Sequence, residues 1–207
     1  MTMNKRLVWN FEINTENPVA LPQAHHFIET PNRWESRFFW PNNEVITLRG
    51  LNHNFLNLSE AQIKHRSDTY YVLPNTDYNL KLRHDQLLYK PILMKKSIAI
   101  AYGKKIKLEA SVPGLELPGC DTHNVAALIA HIKDHAVKIN IEKEALIFRF
   151  DTAPISKLEL AWLTVANESY FSASIESRAF SIVESLTQQL IGDMPTSDYV
   201  TFLQGIT

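Results

Sequence analysis

The chain has 207 residues, 45% of them hydrophobic and 21% charged, a globular composition that excludes a disordered segment or a coiled coil. The 21 Lys and Arg against 22 Asp and Glu leave a formal net charge of -1, so a globally basic nucleic-acid binder is not expected, while a local basic patch is allowed. One cysteine, Cys120, excludes an internal disulfide framework and a Cys-based zinc site, and fits a reducing compartment.

At the N-terminus, Lys5 and Arg6 have no apolar h-region behind them, and no apolar run approaches the roughly 20 residues of a membrane span. A cytoplasmic protein without membrane contact is expected. No linker separates domains and no repeat is found, so 1–207 reads as one domain.

In chain order, residues 6–14 alternate loosely as a strand and 33–40 form an aromatic-rich strand ending at Pro41. Residues 58–64 predict a short helix capped by Ser59, and 69–73 a strand. Residues 79–83 and 86–93 read as two strands around His84-Asp85, and 97–110 as a strand broken at Gly103. Residues 121–136 predict a helix with Asp121 as N-cap and Val125, Leu128, Ile129 and Ile132 at helical spacing. A long strand over 138–150 follows, then a hairpin of 158–166 and 170–176 around Asn167-Glu168, then an amphipathic helix over 178–191. About eight strands and two or three helices make an α+β protein dominated by an antiparallel sheet, closed as a barrel or folded as a sandwich.

In a strand, residues i and i+2 share a face. That groups Arg33, Glu35 and Arg37; Lys81 and Arg83; Lys105, Lys107 and Glu109; and Lys143 with Arg149. Lys90 lies on the strand after Lys81 and Arg83, and Glu159 and Glu176 fall on the two later strands. The intervening residues, such as Trp34, Phe38, Leu82, Ile106 and Ile175, are apolar. For one strand this means a solvated face. Repeated over five or six strands, it also fits an ionic barrel interior with helices on an apolar outside. Such an interior suits phosphate, which Arg and Lys bind through charge-assisted hydrogen bonds.

The run Asp68-Thr69-Tyr70-Tyr71, then Asn79-Leu80-Lys81-Leu82-Arg83, then Tyr89-Lys90-Pro91 resembles the CYTH superfamily of triphosphate tunnel enzymes, which includes thiamine and inorganic triphosphatases and class IV adenylate cyclases. The resemblance covers about Arg33 to Ile191, leaving residues 194–207 outside it and the first thirty or so residues as an extension that adds a strand, caps the tunnel or mediates dimerisation. The family's opening E-x-E-x-K is matched by Arg33-Trp34-Glu35-Ser36-Arg37, with Arg33 in place of the first Glu. Its late E-x-E is matched by Ser174-Ile175-Glu176, with only Glu176 kept.

The resemblance implies an antiparallel tunnel. Arg37, Lys81, Arg83, Lys90, Lys105, Lys107, Lys143 and Arg149 would bind a triphosphate-containing small molecule, and Glu35, Glu159 and Glu176 would hold Mg²⁺ or Mn²⁺. Two functions stay open: a metal-dependent phosphohydrolase acting on inorganic, nucleoside or thiamine triphosphate, and a non-catalytic module for a nucleotide, polyphosphate or anionic partner segment. The carboxylates absent at Arg33 and Ser174 favour the second. Whether the chain forms a homodimer is left open. His131 and His135 share a helix face without a third ligand, and His25-His26 read as loop residues.

Overall fold

The computed structural model describes residues 4–16, 21, 28–50, 56–109, 116–122 and 124–206. The fold is α+β and mostly antiparallel. The strands are β1 (Lys5–Val8), β2 (Phe11–Asn14), β3 (Arg33–Pro41), β4 (Ile46–Arg49), β5 (Gln62–Val72), β6 (Asn79–Arg83) and β7 (Gln86–Lys90), then β8 (Ile92–Lys95), β9 (Ile100–Tyr102), β10 (Ile106–Lys107), β11 (Val137–Phe150), β12 (Ser156–Val165) and β13 (Glu168–Ser177). The helices are α1 (Val125–His135), α2 (Phe180–Leu190) and α3 (Tyr199–Gly205).

Two tight hairpins set the register. His84 and Asp85 have φ of 47° and 58°, and Ala166 and Asn167 have 49° and 69°. Paired left-handed residues twist a two-residue turn to match its strands. The second turn comes one residue earlier than the sequence predicts, because Val165 pairs with Glu168.

The large sheet runs β10-β7-β6-β5-β11-β12-β13-β3-β9-β8. Its two ends belong to one bent hairpin. Pro91, which lacks an N–H, separates β7 from β8. The opposing run β9 and β10 keeps one register across that break, from Lys95↔Ile100 to Tyr89↔Ile106 apart from a bulge near Met94. Gly103 faces Pro91, where an added Cβ would stand 2.9 Å from the proline Cγ. On their other edges β7 pairs with β6 and β9 with β3. The pairings therefore return to their start, and the sheet curls into a ring of eight strands.

Apolar side chains face outward and are covered. Phe38, Trp40, Phe148, Leu158, Phe171 and Ile175 pack against α2 through Ile182, Val183, Leu186 and Leu190. Leu80, Tyr89 and Leu108 pack against α1 through Val125, Leu128 and Ile132. The first residues do not continue as one strand over 6–14. They form the hairpin β1-β2, which joins β4 in a separate three-stranded sheet and lays Phe11, Ile13, Ile46 and Leu48 on the outer core.

Other local expectations are corrected. Residues 58–64 are not one helix capped by Ser59. A single 3-10 turn at Leu58–Glu60 is capped by Asn57, and β5 begins at Gln62 because it pairs with β11 over eleven residues. Asp121 does not cap α1. Asn124 does, accepting from the N–H groups of Ala126 and Ala127, while Asp121 binds the Tyr78 hydroxyl. Helix α3, capped by Asp198, is too short to announce itself by periodicity. Among the described residues, no helix is long and apolar enough to cross a membrane.

Candidate functional site

The charged parity of the strands faces the inside of the ring. At its centre lies Arg37, buried on β3. All five guanidinium N–H donors are used. Nε donates to Glu35 at 2.8 Å. Nη1 donates to Glu159 at 3.3 Å and to the Ser172 hydroxyl at 3.1 Å. Nη2 donates to Glu159 at 3.3 Å and to the Ser174 hydroxyl at 2.9 Å. Ser172 and Ser174 of β13 thus support the guanidinium.

The remaining carboxylates are also claimed. Lys90 donates to Glu35 at 2.9 Å and lies 3.5 Å from the Tyr102 ring centroid. Lys143 donates to Glu159 at 2.9 Å. Asp68 holds Lys81 at 3.2 Å and a two-pronged contact from Arg83. Arg33 pairs with Glu176 at 3.3 Å.

Burial alone would raise the Glu35 pKa, but Lys90 and Arg37 hold it well below the usual carboxylate range. Burial opposes ionisation of Glu159 too, yet Lys143 and Arg37 pull it down to about 2. Burial pushes Lys81 down to about 7; Asp68 resists, while Arg83 and Lys105 add to the fall. Glu176 is raised by burial and by the neighbouring Glu35 charge.

Toward one end of the ring the balance changes. Lys64 and Arg66 on β5, Arg149 on β11, Lys157 on β12 and Lys105 beyond β9 have no carboxylate partner among the described residues. Burial, Arg66 and Lys157 lower the Lys64 pKa. Burial, Arg83, Lys90 and Arg66 lower that of Lys105. This rim carries a cavity of about 480 Å³ lined by Arg33, Lys90, Tyr102, Lys104, Lys105 and Arg178. A second, of about 300 Å³, is lined by Arg33, Arg149, Lys157, Glu176 and Arg178. Arg33 and Arg178 border both.

The opposite end is apolar. Tyr70, Val72, Ile139, Ile141, Leu163 and Val165 are buried there against Tyr199 and Leu203 of α3.

Of the residues named from sequence, Arg37, Lys81, Arg83, Lys90 and Lys143 come together inside, and Lys105 and Arg149 stand at the rim. Lys107 stands apart, half exposed and paired with Glu109. Sequence reasoning missed Lys64, Arg66 and Lys157. The alternation Lys64-x-Arg66-x-Asp68-x-Tyr70 is the signal that could have found the first two. His131 and His135 are exposed on α1 with ring centroids 4.6 Å apart and planes tilted by 37°, Cys120 is buried and free, and His25-His26 lie outside the described residues.

A divalent ion on Glu35, Glu159 and Glu176 is not matched by this donor set. Each carboxylate already faces a cation, and the Arg37 guanidinium bridges Glu35 and Glu159. Among the described residues, no three His, Cys, Asp or Glu side chains converge to hold a metal.

No family model matches the chain, and no curated protein matches it in sequence. Five solved chains match in fold. One, from Bacillus halodurans and provisionally assigned as an adenylate cyclase, is 5% identical with a TM-score of 0.42. The match covers 86% of this chain and 100% of that one. The chemistry of the lumen is read from its own residues.

Proposed function

We propose that the lumen binds an oligophosphate, a triphosphate or triphosphate-bearing small molecule, without a bound divalent ion. The observation that carries this reading is the rim itself. Lys64, Arg66, Lys105, Arg149 and Lys157 converge without carboxylate partners among the described residues, and burial first, then neighbouring cations, depress the pKa of Lys64 and Lys105. Crowded, partly desolvated cations repel one another, and an anion relieves that repulsion. Phosphate oxygens accept the charge-assisted hydrogen bonds that guanidinium and ammonium groups offer.

Hydrolysis on metal chemistry would need the glutamates to release their cations first, so binding without turnover is the reading preferred. The test is calorimetric titration with inorganic tripolyphosphate against the Arg66→Ala and Arg149→Ala variants at two salt concentrations. Each variant is expected to weaken binding severalfold and to flatten the salt dependence. Affinity unchanged in both variants would remove the rim from the site.

A further inference from the structure

The rim cations stand on opposite sides of the mouth. In the eight-stranded ring β3 lies four strands from β5, and β9 lies four strands from β11. Arg33 on β3 is therefore across the opening from Lys64 and Arg66 on β5, and Lys105, just beyond β9, is across it from Arg149 on β11. Arg33, Lys64, Arg66, Arg149 and Lys157 all share the inward parity of Glu35, Asp68, Lys143 and Glu159 on their own strands. Arg149 and Lys157 are also direct cross-strand partners. Two like charges placed opposite each other destabilise a sheet, and an anion held between them relieves that.

The two rim cavities follow the same curve. One runs from Arg149 and Lys157 past Glu176 to Arg33, and the other goes on from Arg33 to Lys105 and Lys90. Together they trace an arc from β11 through β12, β13 and β3 to β9 and β7. Lys64, Arg66 and Arg83 stand on β5 and β6, the two strands that complete the circle. Arg33 and Arg178, which border both cavities, keep one carboxylate partner each and are more than half exposed, so guanidinium donors remain for a ligand. Neither cavity is lined by Arg37, Lys81 or Glu159. An eight-stranded ring is just wide enough to be filled by its own side chains, and here that ion-pair network occupies the centre. The open space bends round the mouth.

A linear phosphate chain sets its charges along a line, and one wall satisfies it. Phosphates carried on a small ring point outward in several directions and meet opposite walls at once. The ring also keeps them spread without the conformational entropy that a chain loses on bending. We infer that the mouth takes a cyclic polyol bearing several phosphate monoesters, of the inositol polyphosphate class, lying across the opening between the wall of Arg66, Arg149 and Lys157 and the wall of Arg33 and Lys105. This rests on the rim being a phosphate site, as proposed above, and goes beyond it in the shape of the ligand.

The test is calorimetric titration of the full chain in EDTA with myo-inositol hexakisphosphate, linear hexaphosphate and inorganic tripolyphosphate. The first two carry the same number of phosphates, so a difference between them reads shape. One site per chain is expected, with the hexakisphosphate bound about tenfold more tightly than linear hexaphosphate. Lys105→Ala and Arg149→Ala, on opposite walls, are each expected to weaken the hexakisphosphate severalfold, with circular dichroism melts to check that both variants fold. Linear hexaphosphate bound as tightly as the hexakisphosphate would overturn the inference and leave the rim as a phosphate site, and so would unchanged hexakisphosphate affinity in Lys105→Ala. Several weak sites per chain would overturn it as diffuse attraction to a basic surface. Hexakisphosphate binding without tripolyphosphate binding would uphold the inference and overturn the chain reading. No binding of any of the three would overturn both.

Discussion

Replacing Arg37 with methionine tests the centre of the lumen. The side chains are of similar length, so packing is largely kept while five hydrogen bonds are lost. Glu35 would retain only Lys90 and Glu159 only Lys143. The Ser172 and Ser174 hydroxyls would lose the donor from which they now accept. Breaking a buried ion pair by removing one partner costs about 3–5 kcal/mol, mostly the cost of the charge left behind. For a domain of this size each kcal/mol moves the melting temperature by about 2–4 °C, so Arg37→Met is expected to melt roughly 6–20 °C below the wild type at pH 7. Circular dichroism melts measure this directly. The pH dependence adds a second readout. Glu35 and Glu159 are depressed in the folded state, so their stabilisation is complete above the unfolded-state value of 4.5 and is lost as pH falls toward their folded values. The gap between wild type and variant should therefore narrow below pH 4.5. Arg37→Met melting within 2 °C (about 1 kcal/mol or less) of the wild type at pH 7 would refute the keystone role.

Two further outcomes follow from the same geometry. Lys81, at about 7 when folded against 10.5 for an ordinary lysine, binds fewer protons in the native than in the unfolded state between those values, so stability should rise with pH across that window. Tripolyphosphate bound beside it should restore the proton, giving uptake of close to one proton per site at pH 8. Calorimetry in buffers of different ionisation enthalpy reads this, and Lys81→Arg should abolish it; uptake unchanged in that variant would place the titration elsewhere. Asp198→Ala removes a cap that accepts from the N–H groups of Val200 and Thr201 at 2.8 and 2.9 Å. A loss of about 1–2 kcal/mol is expected, with faster amide exchange confined to α3. Exchange unchanged there would show that α3 does not depend on its cap.

The ionic lumen was legible because strand parity is a local property. Arg33, Glu35 and Arg37 announce one face, and Lys81 with Arg83 another, whatever the strands later pair with. The two-residue turn at His84-Asp85 was legible for the same reason. Closure was not, since it depends on Pro91 dividing a strand between two partners, a relation between distant segments. The polar first half of β5, Gln62 to Ser67, has no apolar alternation to read, and only its long pairing with β11 makes it a strand. That concealed Lys64 and Arg66. The glutamates were placed on the right face, but sequence could not say that Arg37 would stand between two of them. Helix α3 spans two turns at most, and its role comes from the cavity it fills rather than from its own pattern.

The most direct measurement titrates the full chain with inorganic tripolyphosphate in EDTA and again with Mg²⁺ or Mn²⁺, following phosphate release in the same samples. A lumen whose carboxylates are committed to Arg37, Lys90, Lys143 and Arg33 predicts saturable one-site binding in EDTA and no release under any condition. Binding that appears only when the metal is added, followed by phosphate release, would contradict it and return Glu35, Glu159 and Glu176 to the role of metal ligands.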